Sequence, residues 1–244
     1  MSTPTYVYGL MTAGTELPDD LKGLGPTGRV ATIQHGKLAA IVGDVPVDRP
    51  LGTREDLIAH ESVLDTLAAK TAVLPMRFPA VVEENGVVDE LLAPNQDYFV
   101  ELLGSLQGRK QFTLKGRYVE DAVLREVLER DEEIRSLQKR VLELPEDAAY
   151  YDRVRLGEMI VNALGALRDV DAAALLEPLQ PLAVDTVTRQ PTNPEDVLNA
   201  AFLLSDKRID EFEETVEELG RAHAGRIRLR LLGPLAPYDF VPEE

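Results

Sequence analysis

Apolar and polar positions change period several times along the chain, and each change marks an element. Tyr6-Val7-Tyr8-Gly9-Leu10 is aromatic and β-branched and is punctuated by Thr12-Ala13-Gly14-Thr15, which predicts a strand. Val30 to Gln34 and Leu38 to Val42 flank His35-Gly36-Lys37, where the glycine supplies the positive φ of a tight turn, so they predict a β-hairpin. Thr53 is placed to cap a helix over residues 53 to 69, on which Leu57, Val63, Leu64, Leu67 and Ala68 recur at helical spacing while Arg54, Glu55, Glu61 and Asp65 form the polar side. Val73 to Pro79 is apolar but holds two prolines that donate no amide, so it reads as an irregular or edge strand. Short helical patterns follow over residues 86 to 93 and 95 to 107, and Gly108-Arg109-Lys110 reads as a linker.

The second half opens on strict alternation. Phe112, Leu114, Gly116 and Tyr118 share one face of a strand, and Thr113, Lys115 and Arg117 share the other. Val123, Val127, Ile134, Leu137, Val141 and Leu144 then keep a 3/4 spacing over a helix from 120 to 144 that Pro145 stops, and a second helix over 148 to 168 makes an antiparallel helical hairpin with it. Leu182 to Thr188 and Val197 to Leu204 read as strands across the 190 to 194 turn. A helix lined by Ile209, Phe212, Val216 and Leu219 follows, and Arg226 to Leu231 alternates as a last strand. The order strand, helical pair, strand, strand, helix, strand is the split βαβ pattern of ferredoxin-like domains with an enlarged first crossover. The expected fold class is α+β in two domains: an N-terminal α+β domain over residues 1 to 108, a modified ferredoxin-like domain with a helical-hairpin insertion over 109 to 232, and a tail over 233 to 244.

Composition narrows the function. Twenty-six Lys and Arg against 43 Asp and Glu give −17, a mean field that repels a phosphate backbone, so nucleic acid is not an expected partner. With no cysteine the chain can form no disulfide, attack with no thiolate and hold no Cys-ligated zinc, and this usage suits a reducing compartment. The start lacks a basic n-region and no apolar run approaches the roughly 18 residues of a membrane span, so a soluble cytoplasmic protein without lipid contact is expected.

Gly23-Leu24-Gly25-Pro26-Thr27-Gly28 satisfies a dinucleotide-binding string, but the strand before it and the helix after it that the mechanism needs are missing, and Pro26 removes an amide. It reads as a loop. His35, His60 and His223 sit in different elements with no ligand partner at helical spacing, so neither a metal site nor a cofactor is expected. No catalytic constellation is visible, and Glu211, Glu213, Glu214, Glu217 and Glu218 read as the solvated side of an amphipathic helix. Arg226, Arg228 and Arg230 alternate on the last strand. In the ferredoxin-like order 4-1-3-2 that strand neighbours the first, which brings Lys115 and Arg117 beside them on a basic sheet face. Phe112 and Tyr118 lie in the other phase, so the face lacks the stacking aromatics of an RNA-binding sheet and reads as a domain or partner contact. Asp185, Asp239, Glu243 and Glu244 are the acidic groups expected to pair with it.

Arg54 to Leu64, followed by Val73-Leu74-Pro75-Met76-Arg77-Phe78, resembles the gas vesicle protein F/L family (GvpF/GvpL). So does the ending Gly233-Pro234-Leu235-Ala236-Pro237-Tyr238-Asp239-Phe240-Val241, which is similar to that family's G-P-W-P-P-Y-S-F-V signature, and so does Asn199 to Leu204. With Tyr6-Val7-Tyr8-Gly9 the likeness spans almost the whole chain. It departs at Pro79, where the family usually has glycine, at Leu235 in place of tryptophan and at Ala236 in place of proline. The resemblance implies a non-enzymatic minor protein that binds the hydrophobic shell protein GvpA, works beside other gas vesicle accessory proteins, and assists vesicle nucleation and assembly. By matching positions it carries Arg54, His60, Arg77, Gly233, Pro234, Pro237, Tyr238 and Phe240 over as partner-binding residues, whose alternative reading is structural. The rival reading is a small-ligand-binding or enzymatic ferredoxin-like module, which needs a concave pocket with convergent titratable groups.

Overall fold

In the computed structural model, which describes residues 4–46, 49–145 and 148–242, β1 (Pro4–Thr12) is buried from Tyr6 to Met11 on both faces. It is the centre of a five-stranded antiparallel sheet ordered β2-β3-β1-β4, with β2 (Val30–His35), β3 (Leu38–Asp44) and β4 (Val73–Pro75), and β5 (Val81–Glu83) also pairs with β1. The register slips by one between Val7 and Gly9. That bulge changes which face each side chain takes: Tyr6, Tyr8 and Met11 join one core cluster, Val7 and Leu10 the other. Gly9 is required there, because a Cβ would lie 2.5 Å from the Leu74 carbonyl oxygen and 2.9 Å from the Leu64 side chain.

On the Tyr6 side lies α1 (Arg54–Ala68), which buries Val63, Leu64, Leu67 and Ala68. Thr53 caps it as expected: its hydroxyl accepts from the Asp56 amide while the Asp56 carboxylate accepts from the Thr53 amide. Leu57, expected on the apolar stripe, is 40% exposed, and His60 is fully buried instead. The other face of the sheet is covered by α2 (Glu84–Gly86), which continues into a π-helical stretch over Val87–Leu92, and by α3 (Gln96–Leu106) through Phe99, Leu103 and Leu106. After α3 the chain turns at Gly108, with φ +66, and Arg109 and Lys110, read as linker, are already strand.

The second sheet runs β7-β8-β6-β9, with β6 (Arg109–Tyr118), β7 (Asp185–Thr188), β8 (Asp196–Ser205) and β9 (Ile227–Leu235), so the last strand does neighbour the first. The helical crossover after β6 holds three helices rather than two. Asp131 breaks the run between α4 (Glu120–Arg130) and α5 (Glu132–Glu143), and its side chain accepts from the Glu133 and Ile134 amides as a new N-cap. The long α6 (Tyr150–Leu176) outlasts its expected end at residue 168, and β7 starts at Asp185 because Gln180–Leu182 is a 3-10 turn. α7 (Ile209–Ala222) packs Phe212 against Phe202 at 5.0 Å. By contact density the chain forms two units, Met1–Phe112 with Leu203–Asp206 and Leu232–Glu244, and Thr113–Phe202 with Lys207–Leu231.

The basic face differs from its expectation at one residue. Arg226 precedes β9 and escapes its alternation: its guanidinium bonds Glu126 of α4 at 2.6 Å and Asp171 of α6 at 2.8 Å, and lies 5.6 Å from the centre of the Tyr118 ring. Tyr118 also donates to Asp171. Arg226 therefore ties the last strand to the helical layer. Arg117 pairs with Asp196 at 3.1 Å, whereas Lys115, Arg228 and Arg230 are exposed. Of the acidic groups expected to cover this face, Asp185 is exposed, Asp239 bonds Gln111, and Glu243 and Glu244 lie outside the described residues.

Removing Arg226 strands the buried Asp171 and the largely buried Glu126 carboxylate, so Arg226→Met should cost about 3 kcal/mol. Thermal denaturation should show a Tm roughly 6 to 12 °C lower, while Arg228→Ala should stay within about 0.5 kcal/mol of the parent. Equal losses from the two substitutions would contradict the placement of Arg226.

Candidate functional site

The residues that stand out in the first unit converge on His60. A β-strand, a helix and a tail each bring one polar group to an aromatic pocket. The His60 Nε2 lies 3.1 Å from the Met76 carbonyl oxygen, which can only accept, so Nε2 carries the proton and Nδ1 accepts from the Tyr6 hydroxyl at 2.8 Å. The Tyr238 hydroxyl is also 2.8 Å from Nε2. Tyr8 stacks on the imidazole at 5.8 Å between ring centres, and Phe78 meets it edge-on at 5.7 Å. Tyr8 in turn accepts from the Leu24 amide, so the glycine-rich 23 to 28 loop is held as a loop on the core.

The tail is bound at three further points. Ala236 donates its amide to Asp65 of α1 at 2.7 Å, and Gln111 and Asp239 exchange a side-chain bond of 2.7 Å and an amide bond of 3.2 Å. Phe240 and Val241 pack on the α3-side cluster, while Ala236 and Tyr238 pack on the α1-side cluster. Gly233 makes room for this return, because a Cβ there would lie 2.4 Å from the Phe112 ring. Upstream on α1, Asp56 is 2% exposed and is gripped by Arg49 at 2.6 and 2.7 Å and by the Gly52 and Thr53 amides.

Burial sets the protonation states. It pulls His60 from its ordinary 6.5 down to about 4, with the Met76 carbonyl working against it, and pushes the Tyr8 phenol up to about 12. Burial likewise raises Tyr6, Tyr238 and the Asp65 carboxyl, whereas Arg49 holds Asp56 well below the usual carboxylate range. A neutral imidazole whose nitrogens are both engaged and whose surface is fully covered reaches no substrate. The arrangement is a structural clasp, and this packing counts against the enzyme reading. A shallow apolar cavity of about 160 Å³ opens beside the clasp, lined by Leu74, Met76, Arg77, Phe99, Tyr238 and Val241 among others.

The chain matches the family described as gas vesicle synthesis protein GvpL/GvpF over residues 4–242. This protein belongs to the GvpL/GvpF family. It is 34% identical to gas vesicle protein F of Streptomyces sp. (strain CB03234) over 240 residues, covering 97% of this chain and 99% of that one. It is also 30% identical to gas vesicle protein L of the same organism, covering 92% and 87% of the two chains. The crystal structure of GvpF from Anabaena sp. PCC7120 shares its fold, with a TM-score of 0.80 at 24% identity over 100% of both chains. The family is one of gas vesicle structural and assembly proteins, not of enzymes. Among the described residues no helix is long and apolar enough to cross a membrane.

Of the residues carried over from the resemblance, His60 and Tyr238 meet directly, Pro237 is buried, Phe240 is packed, and Arg77 lines the adjoining cavity. Arg54 is exposed at the start of α1, apart from the clasp. The pattern of residues missed Asp65 and Tyr6 as members of the site. Asp65 read as solvated, and nothing in its helical spacing marked it as the partner of the Ala236 amide.

Because the folded state resists protonating His60 more than the unfolded chain does, its neutral packing contributes stability above pH 6.5 that is lost as pH falls toward about 4. Asp65, whose pKa is raised, works in the opposite sense in this range, and Asp56 matters only at lower pH. Urea denaturation should lose up to about 3 kcal/mol between those limits. His60→Asn should be less stable at pH 7 but show a flatter profile; an unchanged slope would refute the burial of a neutral imidazole.

Proposed function

We propose that this GvpL/GvpF protein binds the hydrophobic shell protein of the gas vesicle, GvpA, in the cytoplasm and assists vesicle nucleation and assembly together with other accessory proteins. The observation that carries this reading is the apolar surface on α5 and α6. Leu142 is 78% exposed and Tyr151 84% exposed, and Tyr150, Val154 and Val161 are exposed as well. Tyr150, Val154 and Val161 fall on one side of α6 by their spacing, and a Cβ added at Gly157 between them would meet nothing within 4 Å. A folded chain rarely leaves so many large apolar groups together in water without a partner, since covering each contributes about 1.5–3 kcal/mol. The remaining surface, at −17 overall, keeps a complex with an apolar protein dispersed by self-repulsion.

The same reading treats the second sheet and its helices as a ferredoxin-like domain in which the helical insertion is the binding arm. The sheet order and the helix between β8 and β9 support it. The first domain and its clasped tail, with Arg54, Arg77, Gly233, Pro234, Pro237 and Phe240, provide the frame and a second contact beside the cavity.

Co-expression with the shell protein tests the arm. Replacing Tyr150, Tyr151 and Val154 together by serine should lower the shell protein recovered in soluble complex at least ~10-fold, with only a small fall in Tm, because the two tyrosines lie mostly and Val154 about half in water. Undiminished recovery would contradict the proposal.

A further inference from the structure

The second unit carries opposite charge on the two sides of its sheet. Leu114, Gly116 and Tyr118 of β6 are buried, and Lys115 and Arg117 between them are exposed on the other side. Gly116 lies against Leu198 and Leu229, the Val119 amide bonds the Arg226 carbonyl, and Gly233 faces Phe112. One antiparallel register satisfies all three contacts, and it sets Lys115 opposite Arg230 and Arg117 opposite Arg228. Like charges directly opposed on neighbouring strands repel. Arg117 has an ion pair, to Asp196; Lys115, Arg228 and Arg230 have none among the described residues. The side of the sheet bearing Phe202 is covered by α7, whose outer surface exposes Asp210, Glu213, Glu214, Glu217 and Glu218. One unit therefore presents unpaired cations on one side of its sheet, along β6 and β9, and an acidic helix on the other.

We propose that the basic sheet face of one copy docks the acidic outer face of α7 of a second copy. The dimensions agree: residues on one side of a strand repeat about every 6.6 Å and strands lie about 4.8 Å apart, while carboxylates three and four apart on a helix are about 5–6 Å apart. Because the two surfaces differ, the contact is heterologous and repeats from copy to copy, giving head-to-tail oligomers rather than a closed two-fold dimer. The net charge opposes this at long range. At about 0.01 M salt the screening length is about 30 Å and whole molecules repel; near 0.15 M it is about 8 Å and only groups in contact count; at 1 M, near 3 Å, those weaken too. Association is thus strongest at intermediate salt, whereas contact through apolar helices strengthens or holds as salt rises.

Sedimentation velocity of the full chain over a range of concentrations at these three salt levels tests it. The expected result is reversible association near 0.15 M that is lost at 1 M. Arg228→Glu/Arg230→Glu and Glu214→Lys/Glu217→Lys should each weaken it at least ~10-fold, with Tm unchanged. Mixing the two variants should restore association, since each retains the half the other lacks, and the intact contact should join one copy of each. A protein that stays monomeric throughout, association that survives both charge reversals, association that only grows with salt, or a monomer that captures polyglutamate but not itself would each overturn the proposal.

Discussion

His60 reaches both of its nitrogens into hydrogen bonds inside an aromatic shell. The two hydroxyls it meets come from near the two ends of the chain, Tyr6 on the first strand and Tyr238 past the last, 178 residues from His60. Losing Tyr6 would leave the buried Nδ1 unmet at a cost of about 1–3 kcal/mol, and losing the tail would uncover Nε2 and leave it the Met76 carbonyl alone. Asp65 adds a second tie one turn further along α1, where its raised carboxyl is compensated by the Ala236 amide. The α1 face of the first sheet is therefore complete only when the tail has returned to it. Gly9 and Gly233 serve the same end, since each lets backbone pass where a methyl group would collide.

Local chemistry makes much of this legible in the sequence. Alternation on β6 separates Leu114 and Tyr118 from Lys115 and Arg117, and Thr53 ahead of the helical spacing marks the start of α1. The family likeness drew attention to His60 and Tyr238 but could not say that they touch, because nothing in a linear pattern encodes a contact across most of the chain. Other misreadings have local causes. Alternation groups Arg226 with Arg228, yet it stands one residue before β9 begins and pairs with the carboxylates of α4 and α6 instead. The helix expected over residues 120 to 144 kept its apolar spacing through Asp131, and the break there comes from a side chain better suited to capping than to continuing a helix.

The second unit distributes its chemistry by surface rather than by site. Its interior cation, Arg226, holds strand to helices; its exposed cations lie on the open sheet face; its carboxylates crowd α7; its unburied apolar groups lie on α5 and α6. None of these features forms a catalytic constellation, and the exposed ones suit contact with another macromolecule. That is the division of labour expected of a GvpL/GvpF protein whose task is assembly.

The tail is an integral layer of the first unit. Amide hydrogen exchange of the intact protein near neutral pH tests it directly, because the Ala236 amide is bonded to a partly buried carboxylate of α1. Ala236 should exchange as slowly as Leu10 and Met11 in the centre of β1, through opening of the whole unit. Rapid exchange at Ala236 while β1 stays protected would show that the tail lies loosely on a unit complete without it, and would contradict the account.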